Sequence, residues 1–189
     1  MADIKNLPKG WEFKKLGDIA LYVNGRAFKP TEWRNNGKPI IRIQNLNKPS
    51  APYNYSDVDH EDKYKVINGD LLFAWSASLG VYIWKLDDAW LNQHIFKVIP
   101  KESTDKIYLY YLLENIVTEL YSKTHGSGMV HITKGNFERT IVPFPSLNIQ
   151  KAIVSKIEEL FSELDKGIAE LKLAQEQLKV YRQSVLKCL

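Results

Sequence analysis

Four histidines and one cysteine are the side chains of this chain best suited to metal binding, acid–base catalysis or nucleophilic attack. The histidines are His60, His94, His125 and His131, and no cysteine pair accompanies them, so the spacing of a structural zinc site is absent. A metal site is conceivable only in the glycine-rich stretch around His125 and His131, and we expect no metal there. Cys188 falls in an apolar row of a predicted helix, which favours a small buried residue over a nucleophile.

The sequence motifs that mark common enzyme sites are also missing. There is no glycine-rich phosphate loop, no G-x-G-x-x-G fingerprint, and no Asn-Pro-Pro-Tyr type motif of an amino-methyltransferase. With no catalytic constellation and no cofactor motif, the pattern indicates a binding protein that is not an enzyme and carries no cofactor of its own.

The most regular feature is a predicted helix from Asn148 to Leu189 with a strict seven-residue apolar repeat. A heptad repeat held this long is typical of a left-handed coiled-coil seam. At 1.5 Å per residue the helix would be about 60 Å long, and nothing else in the chain is long enough to cover it. We therefore expect a partner helix at a seam formed by Ile153, Ile157, Leu160, Leu164, Ile168, Leu171, Ala174, Leu178, Tyr181 and Val185.

The residues before this helix alternate short strand-like runs with turn signals, and we predict strands at 39–46, 71–75, 79–84 and 95–99. One helix over 105–123 interrupts them, with Thr104 or Asp105 as its cap. The predicted fold class is α+β: a mainly antiparallel sheet or partial barrel in residues 1–146, followed by the long coiled-coil-forming helix at 147–189.

Composition limits the class of protein further. The chain has 189 residues, 44% hydrophobic and 12% aromatic, which suffices for a packed core. We find no 18-residue apolar run and no leader sequence, and one cysteine fits a reducing compartment, so we expect a soluble cytoplasmic protein without membrane contact. A net charge of +4 is compatible with a nucleic-acid partner but not diagnostic.

Four segments and the long helix, taken in order, resemble the specificity subunit of type I restriction–modification systems. In that family the first segment opens a target-recognition domain, the second is an internal strand and turn, the third follows at the expected distance, and the last closes the domain. The segments are LPKGWEFKKLGDIA (7–20), GDLLFAWSASLG (69–80), NQHIFKVIP (92–100) and GSGMVHITKGNFERTIVPFPSL (126–147).

Two departures from the family pattern concern the helix and the length. Asn148-Ile149-Gln150 stands where the family usually has Glu-Gln, and Asn is itself a good helix N-cap. Full specificity subunits hold two recognition domains and two helices that pair antiparallel, whereas this sequence has one of each. The resemblance therefore implies a half-subunit, natural or truncated.

The resemblance implies a function in DNA recognition. One domain would read half of a split double-stranded site, and an antiparallel homodimer would read an interrupted inverted repeat. Adenine-N6 methyltransferase subunits would be recruited, and a motor–nuclease restriction subunit is a further possible partner. S-adenosylmethionine, Mg²⁺ and ATP would belong to those partner subunits.

The candidate DNA contacts are side chains of the kinds that bind base edges or phosphates. Each group has a plainer alternative: a solvated polar loop for the first, a strand end for the second, a tight loop for the third, and a solvent-facing strand for the fourth. The groups are Arg26, Lys29, Arg34, Asn35, Asn36 and Lys38; Ser76 and Ser78; His125, Ser127, His131, Thr133 and Lys134; and Arg42 with Gln44.

Two other functions fit the same sequence features. A protein-interaction adaptor would use the helix to oligomerise and the sheet to bind peptide or polysaccharide, and it would be insensitive to DNA. A detached fragment of a fused restriction–methylation enzyme would be encoded downstream of a catalytic domain.

Overall fold

A computed structural model of the chain describes residues 7–76, 78–123 and 133–187. It divides into two compact units, with the boundary between Gln150 and Lys151. The first unit holds every strand and the shorter helices, and the second is helical.

The strands and helices of the described residues alternate along the chain. The strands are β1 (Trp11–Lys15), β2 (Ala20–Asn24), β3 (Lys38–Ile41), β4 (Asn54–Ser56), β5 (Lys65–Val66), β6 (Leu71–Ala74), β7 (Gly80–Ile83), β8 (Ala89–Leu91), β9 (Ile95–Pro100) and β10 (Ile141–Pro145). The helices are α1 (Leu16–Ile19), α2 (Ile43–Asn47), α3 (Lys106–Lys123), α4 (Lys134–Glu138) and α5 (Leu147–Lys187).

These strands form two four-stranded sheets and one two-stranded ribbon. The first sheet has the order β2-β9-β6-β7 and is antiparallel throughout, and the second has the order β4-β3-β8-β5. Only the β3–β8 pair among these described strands is parallel, and the ribbon pairs β1 with β10. The predicted α+β class with a mainly antiparallel sheet is therefore confirmed, in the form of separate sheets.

Three strands of the first sheet, β6, β7 and β9, lie where the sequence predicts strands. Gly69 takes a φ of +87°, which suits glycine, and its turn leads into β6. Phe73 of β6 and Phe96 of β9 are fully buried and pack with Phe137 of α4, whose ring centroid lies 4.5 Å from that of Phe73. Tyr22 of β2 closes the cluster, and burial raises the pKa of its phenol.

The strand predicted over 39–46 is wrong in its second half. Strand β3 ends at Ile41, and helix α2 begins two residues later. Buried Asn45 causes the break, because its Oδ1 accepts a hydrogen bond from the Arg42 amide at 3.2 Å. Arg42 and Gln44 therefore do not share the polar face of a strand: Arg42 precedes α2 and Gln44 lies within it.

Helix α3 begins where the sequence predicted, and its cap is Asp105. The carboxylate Oδ1 accepts hydrogen bonds from the amides of Ile107 and Tyr108, both at 2.9 Å. Thr104, the alternative cap, is buried and donates its hydroxyl hydrogen to the carbonyl of Ile19 at 2.8 Å. Thr104 thus ties the start of α3 to the end of α1.

Helix α5 runs without interruption for 41 residues, as the heptad pattern predicted. The carbonyl of Ser146 accepts the amide hydrogen of Gln150 at 3.0 Å in its first turn. At the standard rise, a helix of this length is about 60 Å long. Within the described ranges, no helix combines the length and apolar character of a membrane span.

Candidate nucleic-acid interface

The segment between β8 and β9 joins the two sheets and brings several strand ends together. The amide of Asn92 donates to the carbonyl of Ile41 at the end of β3, and the amide of Gly25 donates to Ile95 just after β2. A Cβ on Gly25 would lie 2.0 Å from the Asn92 carbonyl oxygen, so only glycine allows this approach. Arg26 and Arg42 consequently follow strands that end at this segment.

Three of the candidate cations pack over aromatic rings near this junction. The guanidinium carbon of Arg26 lies 4.7 Å from the ring centroid of Phe28, and that of Arg42 lies 5.4 Å from Trp33. The ammonium nitrogen of Lys38 lies 4.8 Å from the Trp90 ring. Phe28 and Trp90 form a small core with Ile40, against which Trp33 packs. We call these three cations and three rings the basic–aromatic cluster, and its members are Arg26, Lys38, Arg42, Phe28, Trp33 and Trp90.

Acidic side chains hold two of the three cluster cations. Arg26 forms an ion pair with Glu32, and this hydrogen bond lowers the pKa of the Glu32 carboxyl. Lys38 Nζ lies 2.6 Å from Asp59 Oδ1 and likewise lowers the pKa of that carboxyl. Both pairs lie at or near the surface, where solvent weakens their contribution to stability. They fix the positions of the cations more than they stabilise the fold.

Arg34, the remaining arginine of the first candidate group, mainly stabilises its own loop through hydrogen bonds. Its Nη1 donates to the carbonyls of Thr31 and Trp33 at 3.0 Å, and its Nε lies 3.6 Å from Asp57 Oδ1. The other members of the group are exposed, namely Lys29, Asn35 and Asn36. They remain candidates for contact with a nucleic acid.

Nothing in the sequence indicates that His60 packs against this cluster. Its ring lies edge-on to both Phe28 and Trp90, 5.0 Å from each ring centroid, and its Nε2 lies 2.9 Å from Ser56 Oγ. Burial, followed by the charge of Arg26, lowers the pKa of this imidazole.

No group of three or more His, Cys, Asp or Glu side chains able to hold a metal exists among the described residues.

The second candidate group lies at the neighbouring end of the first sheet. Ser76 is only 9% exposed, so little of its side chain is available to a ligand, while Ser78 is half-buried. The ring of Trp75 lies 4.9 Å from that of His94, and its indole Nε1 donates to Asn24 Oδ1 at 3.2 Å. The second group therefore lies beside the segment between β8 and β9, since that segment contains His94.

The third candidate group is only partly visible. His125, Ser127 and His131 lie outside the described residues. Thr133 and Lys134 are exposed at the start of α4, and Lys134 Nζ lies 3.6 Å from Glu138 Oε1 one turn later. Gln44 of the fourth group is exposed on α2.

The predicted seam of α5 is largely uncovered in the single chain. Leu171 is 73% exposed, and Leu178 and Tyr181 are similarly open. Ile168, Leu171, Ala174 and Leu178 line one shallow apolar groove. Leu160 and Leu164 are exposed, Ile153 and Ile157 are half-buried, and the side chain of Val185, like Cys188, lies outside the described residues. Such a continuous exposed apolar stripe is typical of an interaction surface.

Comparison with known proteins gives one consistent family. A family model described as the type I restriction modification DNA specificity domain matches residues 8–173. The specificity subunit of the type I restriction enzyme EcoBI from Escherichia coli is 29% identical over 93% of this chain and 38% of that subunit. A putative specificity subunit from Haemophilus influenzae, S.HindORF215P, is 30% identical over 93% of this chain and 46% of its own length.

Solved structures give the same fold. The HsdS subunit from Thermoanaerobacter tengcongensis superposes with a TM-score of 0.68 at 21% identity, over 86% of this chain and 40% of that one. A chain from a study of complex assembly and conformational transition in a type I system gives a TM-score of 0.70 at 21% identity, over 94% and 46%. The chain spans less than half the length of these relatives. Because the family model covers both the sheets and most of α5, the chain belongs to the type I restriction–modification DNA specificity domain family.

Proposed function

We propose that this chain is a non-catalytic specificity subunit that reads one half of a split site in double-stranded DNA. The family match over residues 8–173 carries this proposal. The basic–aromatic cluster supports it, because Arg26 and Arg42 follow strands that end where the two sheets join, and Lys38 packs over the ring of Trp90. Cations of this kind bind phosphates and the acceptor edges of bases in the major groove.

Different roles are expected within this surface. Lys29, Asn35 and Asn36 are exposed and lie on a loop, which suits contacts to the phosphate backbone and to base edges. Arg26 and Lys38 are held at fixed positions by Glu32 and Asp59, whose carboxylates balance their charge. The surface would therefore combine sequence-independent attraction with a small number of base contacts.

The exposed seam of α5 supports a homodimer in which two such helices pair antiparallel. Leu164, Leu171 and Leu178 follow one another at heptad spacing and are more than half exposed in the single chain. A closed twofold dimer uses the same patch on both copies. It would place two identical reading domains on one DNA, so the target would be an interrupted inverted repeat.

The partners would be the remaining subunits of a type I system. The relatives are named as specificity subunits of type I restriction enzymes, which supports adenine-N6 methyltransferase subunits and a motor–nuclease restriction subunit as partners. S-adenosylmethionine would be bound by the methyltransferase, and ATP and Mg²⁺ by the partner subunits. This chain would determine the DNA site at which the reaction occurs and would not catalyse it.

Co-expression with the adjacent methyltransferase subunit, followed by mapping of N6-methyladenine across the host genome, tests this function. We expect methylation at one interrupted inverted repeat, and none when the methyltransferase subunit is expressed alone. A co-purifying complex that leaves no methylated motif would contradict the specificity role. Methylation at a site without inverted symmetry would contradict the symmetric dimer and keep the recognition role.

A further inference from the structure

Arg42 differs from the two other arginines at the candidate interface in having no partner for its charge. Arg26 pairs with Glu32, and Arg34 donates to two carbonyls and faces Asp57. Within the described residues, the Arg42 side chain has neither an acidic partner nor a hydrogen-bond acceptor, and its Nε is buried. Its guanidinium only packs over the ring of Trp33.

This arrangement leaves the N–H donors of Arg42 available to an acceptor supplied by a ligand. A charged N–H donor that is removed from water without an acceptor destabilises the conformation that holds it. Contact with the face of a tryptophan ring offsets part of that penalty and leaves the donors unused. A ligand with two acceptors would therefore provide what the protein does not.

The backbone of Arg42 is held firmly, in contrast to its head group. Its amide donates to Asn45 Oδ1, and Asn45 is 1% exposed. The Nδ2 of Asn45 donates to the carbonyls of Ala51 and Pro52, both at 3.2 Å, which anchors the turn at the end of β3. The Cα of Arg42 is therefore fixed, while the guanidinium keeps its N–H donors available to a ligand.

We propose that Arg42 is a specificity-determining residue of this domain, and that on DNA its guanidinium leaves Trp33 to donate two hydrogen bonds to the O6 and N7 atoms of one guanine in each half-site. Guanine is the base that presents two acceptors side by side in the major groove, at the spacing of the arginine fork. This inference rests on the proposed function, since it assigns one base contact within it.

The test is selection of DNA from a double-stranded pool with a randomised core, using the full chain and its variants. We expect the unchanged chain to enrich a motif with a guanine in each half. Arg42→Gln should lose the preference for that guanine by about 5- to 150-fold and keep the other positions, since glutamine pairs with adenine instead. Arg42→Lys should relax the same position although it keeps the charge.

Matched controls separate this role from folding and from general charge. Arg139→Gln removes an exposed arginine outside the candidate surface and should leave the motif unchanged. Thermal unfolding of both Arg42 variants shows whether they fold. An unchanged motif with Arg42→Gln, or an equal loss of affinity for all sequences, would overturn the role of Arg42 alone. The absence of any motif for the unchanged chain would contradict the proposed function, and the role of Arg42 with it.

Discussion

At the scale of single residues, buried amides hold the scaffold that presents the candidate interface. Gln150 is fully buried, and its Oε1 accepts a hydrogen bond from the Asp105 amide at 2.8 Å. Its Nε2 donates to the carbonyls of Ser103 and Pro145 at 3.0 and 2.8 Å. One side chain therefore satisfies three backbone groups at the start of α3 and the end of β10.

We expect Gln150→Leu to lower the free energy of unfolding of the sheet-containing unit by about 2–4 kcal/mol. Leucine has nearly the same size, but it leaves the Asp105 amide and two carbonyls without partners in a buried place. Urea denaturation followed by tryptophan fluorescence measures the change. Gln177→Leu, at an exposed position of α5, should change the stability by less than about 0.5 kcal/mol. Equal effects of the two substitutions would show that the hydrogen bonds of Gln150 are unimportant.

The sequence predicts some of these residue roles and not others, for a physical reason. Asp105 as helix cap is predictable, because a cap acts on amides two and three residues away. The pairing of Lys38 with Asp59 joins residues that only the β3–β4 pairing brings together. Two of the three contacts of Gln150, to Asp105 and Ser103, are with backbone groups 45 and 47 residues away in the chain, so they give no local signal.

At the scale of elements, α5 is the part whose sequence and structure agree most closely. A period of seven held over several heptads is a signal that neither turns nor neighbouring strands disturb. A single helix in water would not expose so many leucines, whereas a helix paired with another would cover those in the seam. Such a stripe is typical of an interface, and its occupant in our proposal is a second copy.

Leu171→Glu should dissociate that homodimer. The substitution would place an unpaired carboxylate in the seam of each helix, at a penalty of about 3–5 kcal/mol for a buried uncompensated charge. Sedimentation velocity should then show a monomer at concentrations where the unchanged chain is a dimer. Leu173→Glu is the matched control, because Leu173 is 61% exposed but lies outside the seam. A dimer that survives Leu171→Glu would rule out this assignment of the seam.

The short elements show where pattern reading fails. Residues 39–46 alternate as a strand would, yet the buried amide of Asn45 turns the chain into α2 after Ile41. Strand β8 has three buried residues and no alternation, so its parallel pairing with β3 has no sequence signal. The candidate cluster of Arg26, Lys38 and Arg42 is partly predictable from composition, but its aromatic support depends on that pairing.

At the scale of the whole molecule, the question is which kind of partner the basic surface meets. The observed sheets and long helix are compatible with either a protein-interaction adaptor or a DNA specificity subunit. They differ in the effect of salt, because a DNA-binding protein displaces counterions from the phosphates that it contacts. Salt dependence therefore separates the two functions without knowledge of the target.

We expect the affinity of the chain for double-stranded DNA of mixed sequence to fall by about tenfold or more between 50 and 200 mM salt, as two or more phosphate contacts require. Fluorescence anisotropy with a labelled duplex, measured over a salt series, gives the slope. The same series with heparin shows whether the polyanion response is general. An affinity that does not change with salt would favour the adaptor.

The β1–β10 ribbon has a consequence for how such a chain can change over generations. It pairs Trp11 with Pro145 and Lys15 with Ile141, so the first and last strands of the sheet-containing unit lie side by side. A segment whose two ends lie side by side in the fold can be exchanged for another of different length without moving the elements that flank it. The residues between β1 and β10, which hold the candidate surface, can thus be replaced as a unit by two exchanges of coding sequence, while the ribbon and α5 stay the same.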